Sequence, residues 1–250
     1  MQPDLDPYRL VLFDLDGVLT PTAEIHMLAW KTMFTKLFAE KGVEEPYADE
    51  DYFRYLDGKK RDDGVASLLA SRGITVPLGH PDDPTTLDTV WGIGNRKNDV
   101  FTEVLRTDGI QPYPGSLALV QQLADAGMPM GVVSSSKNAV WVLEAAGIRD
   151  YFPVVIDGVV AADEGLASKP APDMFLAGAQ YFDIPPAETV VFEDATSGVA
   201  AAHAGAFGLV IGVDRGTGAQ NLLDAGAHRV IDDLDEYVTS TGVTTFGKAE

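Results

Sequence analysis

Apolar positions along the chain follow two textures. Leu10-Val11-Leu12-Phe13 is an unbroken apolar run that stops at Asp14-Leu15-Asp16-Gly17, the pattern of a strand buried on both faces that runs into a turn. From Ala23 to about Lys41 the spacing becomes helical, with Trp30, Phe34 and Phe38 on one face. Further helices are predicted around Asp49–Tyr55, Arg61–Ser71 and Asp88–Arg106, with a loop at Pro77–Pro84 on its proline and glycine content. Beyond Gln111 short strands alternate with helices. Leu117, Val120 and Ala124 keep helical spacing, Gly127 stops that helix, and Met130–Val133 reads as a strand. A helix over Lys137–Ala146, a strand at Val154–Ile156 and a helix opening near Pro172 follow. Then come a strand at Thr189–Phe192, a helix over Ser197–Ala204 and a strand at Leu209–Val213.

That alternation predicts an α/β fold, a doubly wound parallel sheet covered by helices on both faces. The helical stretch after the first strand is then an insert. Residues 1–21 and 109–250 form the Rossmann-like core, and residues 22–108 a second, α-helical domain.

Composition narrows the function. Of 250 residues, 46% are hydrophobic, enough for a buried core, and the formal net charge is -20. Such a charge repels phosphate backbones, which argues against nucleic acid as a partner. It also means that an anionic substrate needs local cations or a metal. With no cysteine, thiolate chemistry and disulfides are excluded. Met1-Gln2-Pro3-Asp4 carries neither a basic stretch nor an apolar run, and no segment approaches the ~18 apolar residues that cross a bilayer. A cytoplasmic monomer that does not use a membrane is expected.

In open parallel sheets, active sites form where loops leave the carboxyl ends of strands. Polar residues at such positions are Asp14 and Asp16, Ser134, Lys169 in a loop, and Glu193-Asp194. Each suits phosphoryl transfer. One carboxylate can attack phosphorus, and a second can act as general acid and base. Further carboxylates and a carbonyl suit Mg²⁺, while a hydroxyl and an ammonium hold non-bridging oxygens. Asp214-Arg215-Gly216 also follows a strand but reads as a plain loop, and Trp30, Trp91 and Trp141 read as packing residues.

These residues carry a resemblance. Phe13-Asp14-Leu15-Asp16-Gly17-Val18-Leu19-Thr20, Val133-Ser134-Ser135-Ser136, Lys169-Pro170-Ala171-Pro172-Asp173 and Phe192-Glu193-Asp194 resemble, in order, the four motifs of the haloacid dehalogenase superfamily. The resemblance implies Asp14 as nucleophile and Asp16 as acid/base. It also implies Mg²⁺ held by Asp14, the Asp16 carbonyl, Asp194 and Glu193, and an α-helical cap inserted after the first motif. An aspartate two residues after the nucleophile resembles phosphatases and phosphomutases rather than dehalogenases.

Thr22-Ala23-Glu24-Ile25-His26, Ser134-Ser135-Ser136-Lys137-Asn138 and Ala167-Ser168-Lys169-Pro170-Ala171-Pro172-Asp173 are similar to β-phosphoglucomutases. That similarity implies phosphate or substrate binding by Ser134, Ser135, Ser136, Lys137, Asn138 and Lys169. It gives hinge and cap roles to Thr22 and His26, and a grip on the distal phosphate to Arg61. Two of these keep a second reading: His26 as a packed residue, and Arg61 as a surface partner of Asp62 or Asp63. The sequence departs from the family at Asp57, where a cap lysine is expected and Lys59 or Lys60 would have to replace it. It departs again in an extra stretch near Thr75–Asp99. The implied substrate is a sugar phosphate, β-glucose 1-phosphate first. A phosphatase acting on another small phosphate ester is the alternative. A silent binding protein would normally have lost Asp14 or Asp16.

Overall fold

The computed structural model describes residue 5 and residues 7–238; the amino-terminal residues read for a leader lie mostly outside these. The chain divides into two compact units, with breaks at Pro21/Thr22 and Gly109/Ile110. Among the described residues no helix is long and apolar enough to cross a membrane.

The first unit is an α/β fold on a parallel sheet of six strands among the described residues. In chain order they are β1 (Leu10–Phe13), β2 (Met130–Val133), β3 (Val154–Ile156), β4 (Thr189–Glu193), β5 (Leu209–Val213) and β6 (Arg229–Ile231). Their spatial order is β3-β2-β1-β4-β5-β6. Strands β1, β2, β4 and β5 are buried along their whole length, which is why they read as unbroken apolar runs. The core on one side joins Leu10, Leu12, Val133, Met174, Phe175, Val191 and Val210. Strand order reverses between β1 and β4, whose register pairs Phe13 with Phe192. Asp14 and Glu193 therefore emerge side by side at the switch point where such sheets bind ligands.

Two short helices and one strand of this unit lack a pattern in the sequence. They are Gly158–Asp163, Ala219–Asp224 and β6, each too brief for a period to show. The helix expected from Lys137 begins at Ala139. The residues before it are held in a turn, because Ser134 Oγ accepts the Ser136 N–H and Ser136 Oγ accepts the Asn138 N–H.

The second unit is all helical. Helix α1 (Thr22–Lys41) buries Ala29, Trp30, Met33, Phe34, Leu37 and Phe38, a helical stripe. It packs on α3 (Val90–Asp108), which also packs on α2 (Arg61–Ser71). The helix expected at Asp49–Tyr55 is instead a π-helical turn over Tyr52–Leu56. The three tryptophans divide: Trp30 and Trp91 are buried, but Trp141 is 36% exposed and does not pack as expected.

Candidate active site

The site builds outward from β1. The Asp14 backbone N–H continues the ladder by donating to the Phe192 carbonyl at 2.9 Å, which aims its side chain beside Glu193. Lys169 lies between these carboxylates. Its Nζ is 2.6 Å from Asp14 Oδ1 and 2.8 Å from Glu193 Oε2, and it also donates to the Val133 carbonyl at 3.3 Å. Lys169 is only 1% exposed, and these three acceptors match its three donors; the longest contact, 3.3 Å to the Val133 carbonyl, is the one a phosphate oxygen can replace. The other oxygen of Glu193 accepts the Ala195 N–H at 3.2 Å, so this carboxylate also fixes the start of helix Thr196–Ala204.

Burial pushes the Asp14 carboxyl up to about 6, with Lys169 pulling it back and Asp16 adding to the rise. Burial and the facing Asp14 push Glu193 up to about 8 against the pull of Lys169. Burial works against the Lys169 ammonium, but Asp14 and Glu193 together outweigh it and hold its pKa above the usual value. Near neutral pH the triad thus holds a charged lysine against an ionised Asp14, with Glu193 largely protonated.

Oxygens of Asp14, Glu193 and Asp194 all lie within 4.8 Å of one another. This all-carboxylate donor set fits a hard divalent ion. Gly17 makes room for it: its φ is +85°, and a Cβ there would lie 1.9 Å from Asp194 Oδ2. Only glycine serves both the turn and the close approach.

Asp16 and Ser134 meet nearby, with Ser134 Oγ 3.4 Å from Asp16 Oδ2. Ser135, Ser136, Lys137 and Asn138 are half-buried in the loop after β2. The Gly158 N–H fastens that loop by donating to the Ser136 carbonyl at 3.1 Å. Gly158 is placed in turn by Asp157, which caps its helix through the N–H groups of Val159 and Val160.

Thr22, His26 and Arg61 belong to the helical unit. Thr22 is buried at the start of α1. His26 stacks on Phe101, ring centroids 3.9 Å apart, and its Nδ1 meets Lys97 Nζ. Lys97 is 3% exposed, and its ammonium lies 4.5 Å from the centre of the Phe101 ring and 5.1 Å from that of Trp30. Arg61 donates to Asn95 Oδ1 at 3.1 Å and Asn98 Oδ1 at 2.9 Å, with its stem against Gly94. Burial draws its pKa down, offset in part by Asp62 and Asp99. It is half-buried against α3, where Asn95 and Asn98 accept from it.

Sequence reasoning missed Lys97, Asn95 and Asn98, which lie within the extra stretch near Thr75–Asp99. One signal was available for Lys97: it precedes Phe101 by one helical turn, as His26 precedes Trp30.

Residues 8–205 match the haloacid dehalogenase-like hydrolase family. A β-phosphoglucomutase of Mycobacterium bovis is 46% identical over 241 residues, covering 92% of this chain and 91% of that protein. A β-phosphoglucomutase of Bacillus subtilis is 32% identical over 205 residues, covering 82% and 83%. Among solved structures, a variant of CbbY from Rhodobacter sphaeroides in complex with xylulose-(1,5)bisphosphate aligns with a TM-score of 0.72 at 25% identity, over 94% of this chain and 98% of that one.

Proposed function

Because the chain belongs to the haloacid dehalogenase-like hydrolase family, we propose that it is a Mg²⁺-dependent phosphomutase converting β-glucose 1-phosphate to glucose 6-phosphate. At the level of reaction class it is a phosphomutase or a phosphatase. The observation that carries phosphoryl transfer is the buried group of Asp14, Lys169, Glu193 and Asp194. The choice of sugar rests on the 46% identity, which runs through 92% of the chain.

In the proposed cycle, an Asp14 oxygen carries a phosphoryl group. The sugar's 6-hydroxyl attacks that phosphorus, its proton passes to Asp16, and the Asp14–phosphorus bond breaks to leave a sugar bisphosphate. After the bisphosphate turns over, Asp14 attacks the phosphorus on the anomeric oxygen. Asp16 returns its proton to that oxygen as the bond breaks, so protons and phosphoryl groups balance over the cycle. Lys169 and Ser134 hold non-bridging oxygens, with Ser135, Ser136, Lys137 and Asn138 shaping the loop around them. Asp14, the Asp16 carbonyl and Asp194, with Glu193 behind, would hold Mg²⁺, which would neutralise charge between carboxylate and phosphate. Thr22, His26 and Arg61 are assigned to substrate binding, Arg61 to the phosphate that is not reacting. The mutase outcome requires phospho-Asp14 to meet the sugar hydroxyl before water.

The alternative is that water wins, giving a phosphatase for a sugar bisphosphate or another small ester. Asp57 in place of the expected lysine and the likeness to CbbY favour it. One assay separates the two. The protein is given Mg²⁺, β-glucose 1-phosphate and a trace of glucose 1,6-bisphosphate, and glucose 6-phosphate and free phosphate are followed together. Glucose 6-phosphate forming faster than phosphate is expected, and phosphate alone rejects the mutase. Asp14→Asn should abolish both products.

A further inference from the structure

The loop after β5, residues 214–218, reads as an ordinary connection, yet its side chains close on the catalytic loop from two directions. Arg215 Nε donates to the Gly17 carbonyl at 2.9 Å. Its other two nitrogens donate to the Asp232 carbonyl at 2.8 Å and to Asp233 Oδ2 at 2.9 Å. The guanidinium carbon lies 4.0 Å from the centre of the Tyr113 ring. Two residues on, Thr217 Oγ1 donates to the Asp194 carbonyl at 3.2 Å. Asp214 holds the loop in shape, its Oδ1 accepting the Gly216 and Gly218 N–H groups at 2.9 and 3.0 Å.

The two backbone acceptors flank one narrow gap, since Gly17 has no room for a methyl group beside Asp194 Oδ2. Gly17 is also the first of three successive carbonyls held from outside the turn. Ser116 Oγ donates to the Val18 carbonyl at 2.6 Å, and the Tyr113 N–H to that of Leu19 at 3.0 Å. A rigid guanidinium fork can satisfy three acceptors in fixed directions while stacking on an aromatic face; a lysine cannot.

We propose that Arg215, with Thr217, is a positioning residue for the phosphotransfer site. Together they fix the spacing between the Asp14–Gly17 turn and Asp194, and through it the cation affinity and the rate. The inference rests on the reading of Asp14 as nucleophile and Asp194 as cation ligand. Neither positioning residue touches a reacting atom. Thr217 acts through the backbone of the proposed cation ligand Asp194, and Arg215 through the backbone of Gly17, against which the Asp194 carboxylate lies, the way outer hydrogen bonds tune metal ligands.

The test uses the full chain with Arg215→Met, Arg215→Lys and Thr217→Val. Three quantities are measured: the Kd for Mn²⁺ alone, amide exchange of residues 15–19 in the metal-free protein, and kcat with KM for the phosphate ester. Arg215→Met should weaken Mn²⁺ binding and lower kcat by about 10-fold each. KM should stay within about 2-fold, because uniform substrate binding is untouched. Exchange at 15–19 should accelerate. Thr217→Val should weaken Mn²⁺ by about 3-fold, the loss of one hydrogen bond. Arg215→Lys should recover only part of the loss. Wild-type Mn²⁺ affinity and wild-type exchange at 15–19 in folded variants would overturn the proposal, whatever their Tm. Should Arg215→Met fail to fold, Thr217→Val decides alone. If Mn²⁺ affinity shifts but the wild type turns over no phosphate ester, the functional reading fails and the clamp stands. Turnover with unmoved Mn²⁺ affinity sinks the clamp alone.

Discussion

Lys169 sets the electrostatics of the site at the scale of single residues. It compensates two buried carboxyls that are both easier to protonate in the folded chain than in the unfolded one, where they titrate near ~4. Each carboxyl therefore favours folding fully below that value. The contribution is lost as pH rises through about 6 for Asp14 and about 8 for Glu193. Lys169→Met would leave the two carboxyls facing each other without a cation and raise both further. In metal-free protein, the stability gap between variant and wild type should be small at about pH 5, where the variant's carboxyls are protonated. It should widen to about 3–5 kcal/mol at about pH 8.5, the cost of breaking a buried pair. Urea unfolding in EDTA at both pH values reads this directly, and a gap independent of pH rejects the account. Gly17→Ala tests the neighbouring feature. Its methyl must displace the Asp194 carboxylate and adopt a left-handed φ, so Mn²⁺ affinity should fall at least about 10-fold while stability drops by only about 1–2 kcal/mol. Unchanged Mn²⁺ binding would mean that Asp194 is not needed near Gly17.

Among the elements, α3 organises the helical unit and fastens the long loop before it. Asn95 Nδ2 donates to the carbonyls of Pro81 and Asp83 at 3.0 and 2.9 Å while its Oδ1 accepts from Arg61. Asn95→Ala should therefore speed amide exchange across residues 77–89 and raise KM more than it lowers kcat, since Arg61 loses its orientation. Wild-type exchange and KM would show that the loop holds itself. Acid probes the same loop. Asp83 titrates below its usual value because Thr89 and the His80 N–H donate to it, and Asp88 because of Lys41 and Arg96. A depressed carboxyl supports the fold above its unfolded pKa and loses that support as pH falls, so opening of 77–89 should set in only below ~3.8. Proteolysis by an acid-active protease that cuts there equally at about pH 5 and pH 3 counts against these bonds.

Elements also differ in how far the sequence exposes them. Strands β1, β2 and β5 coincide with apolar runs because burial on both faces forbids polar interruption. Strands β3 and β6 both border the sheet with three residues each; β3 is wholly apolar and reads as a run, whereas β6 opens on Arg229 and is half-buried at two positions, so no run marks it. The π-helical turn at Tyr52–Leu56 breaks helical spacing where the sequence predicts an ordinary helix. Asp14, Asp16, Ser134 and Glu193-Asp194 could be found from position alone, each just beyond or at the end of an apolar strand. Arg215 could not, because what it does depends on a partner 198 residues away. For Lys97 the spacing to Phe101 points to a ring but not to His26, 71 residues away. Nothing local distinguishes an arginine that will hold a carbonyl from one that faces water.

For the whole molecule the governing quantity is charge. A formal net charge of -20 acts on a phosphate ester before any side chain does. The buried Lys169 does not reverse this, since it is matched by the two carboxylates it touches. On the proposed reading, the attraction that captures substrate is short-ranged, from hydrogen-bond donors and the cation that Asp14, Glu193 and Asp194 would hold, while the long-range field opposes approach. Salt separates the two. The Debye length is roughly 20 Å at about 0.02 M and about 8 Å at 0.15 M, so added KCl removes the distant repulsion and leaves contact interactions largely in place. At saturating Mg²⁺, kcat/KM should rise about 2–5-fold over that range while kcat stays nearly constant, because the field acts on encounter rather than on the bound complex. A neutral viscogen at the same salt tells whether encounter limits the rate. A kcat/KM that falls steadily with KCl would mean that a local cationic field, with Arg61, Lys59 and Lys60 as the first places to look, outweighs the charge of the molecule as a whole.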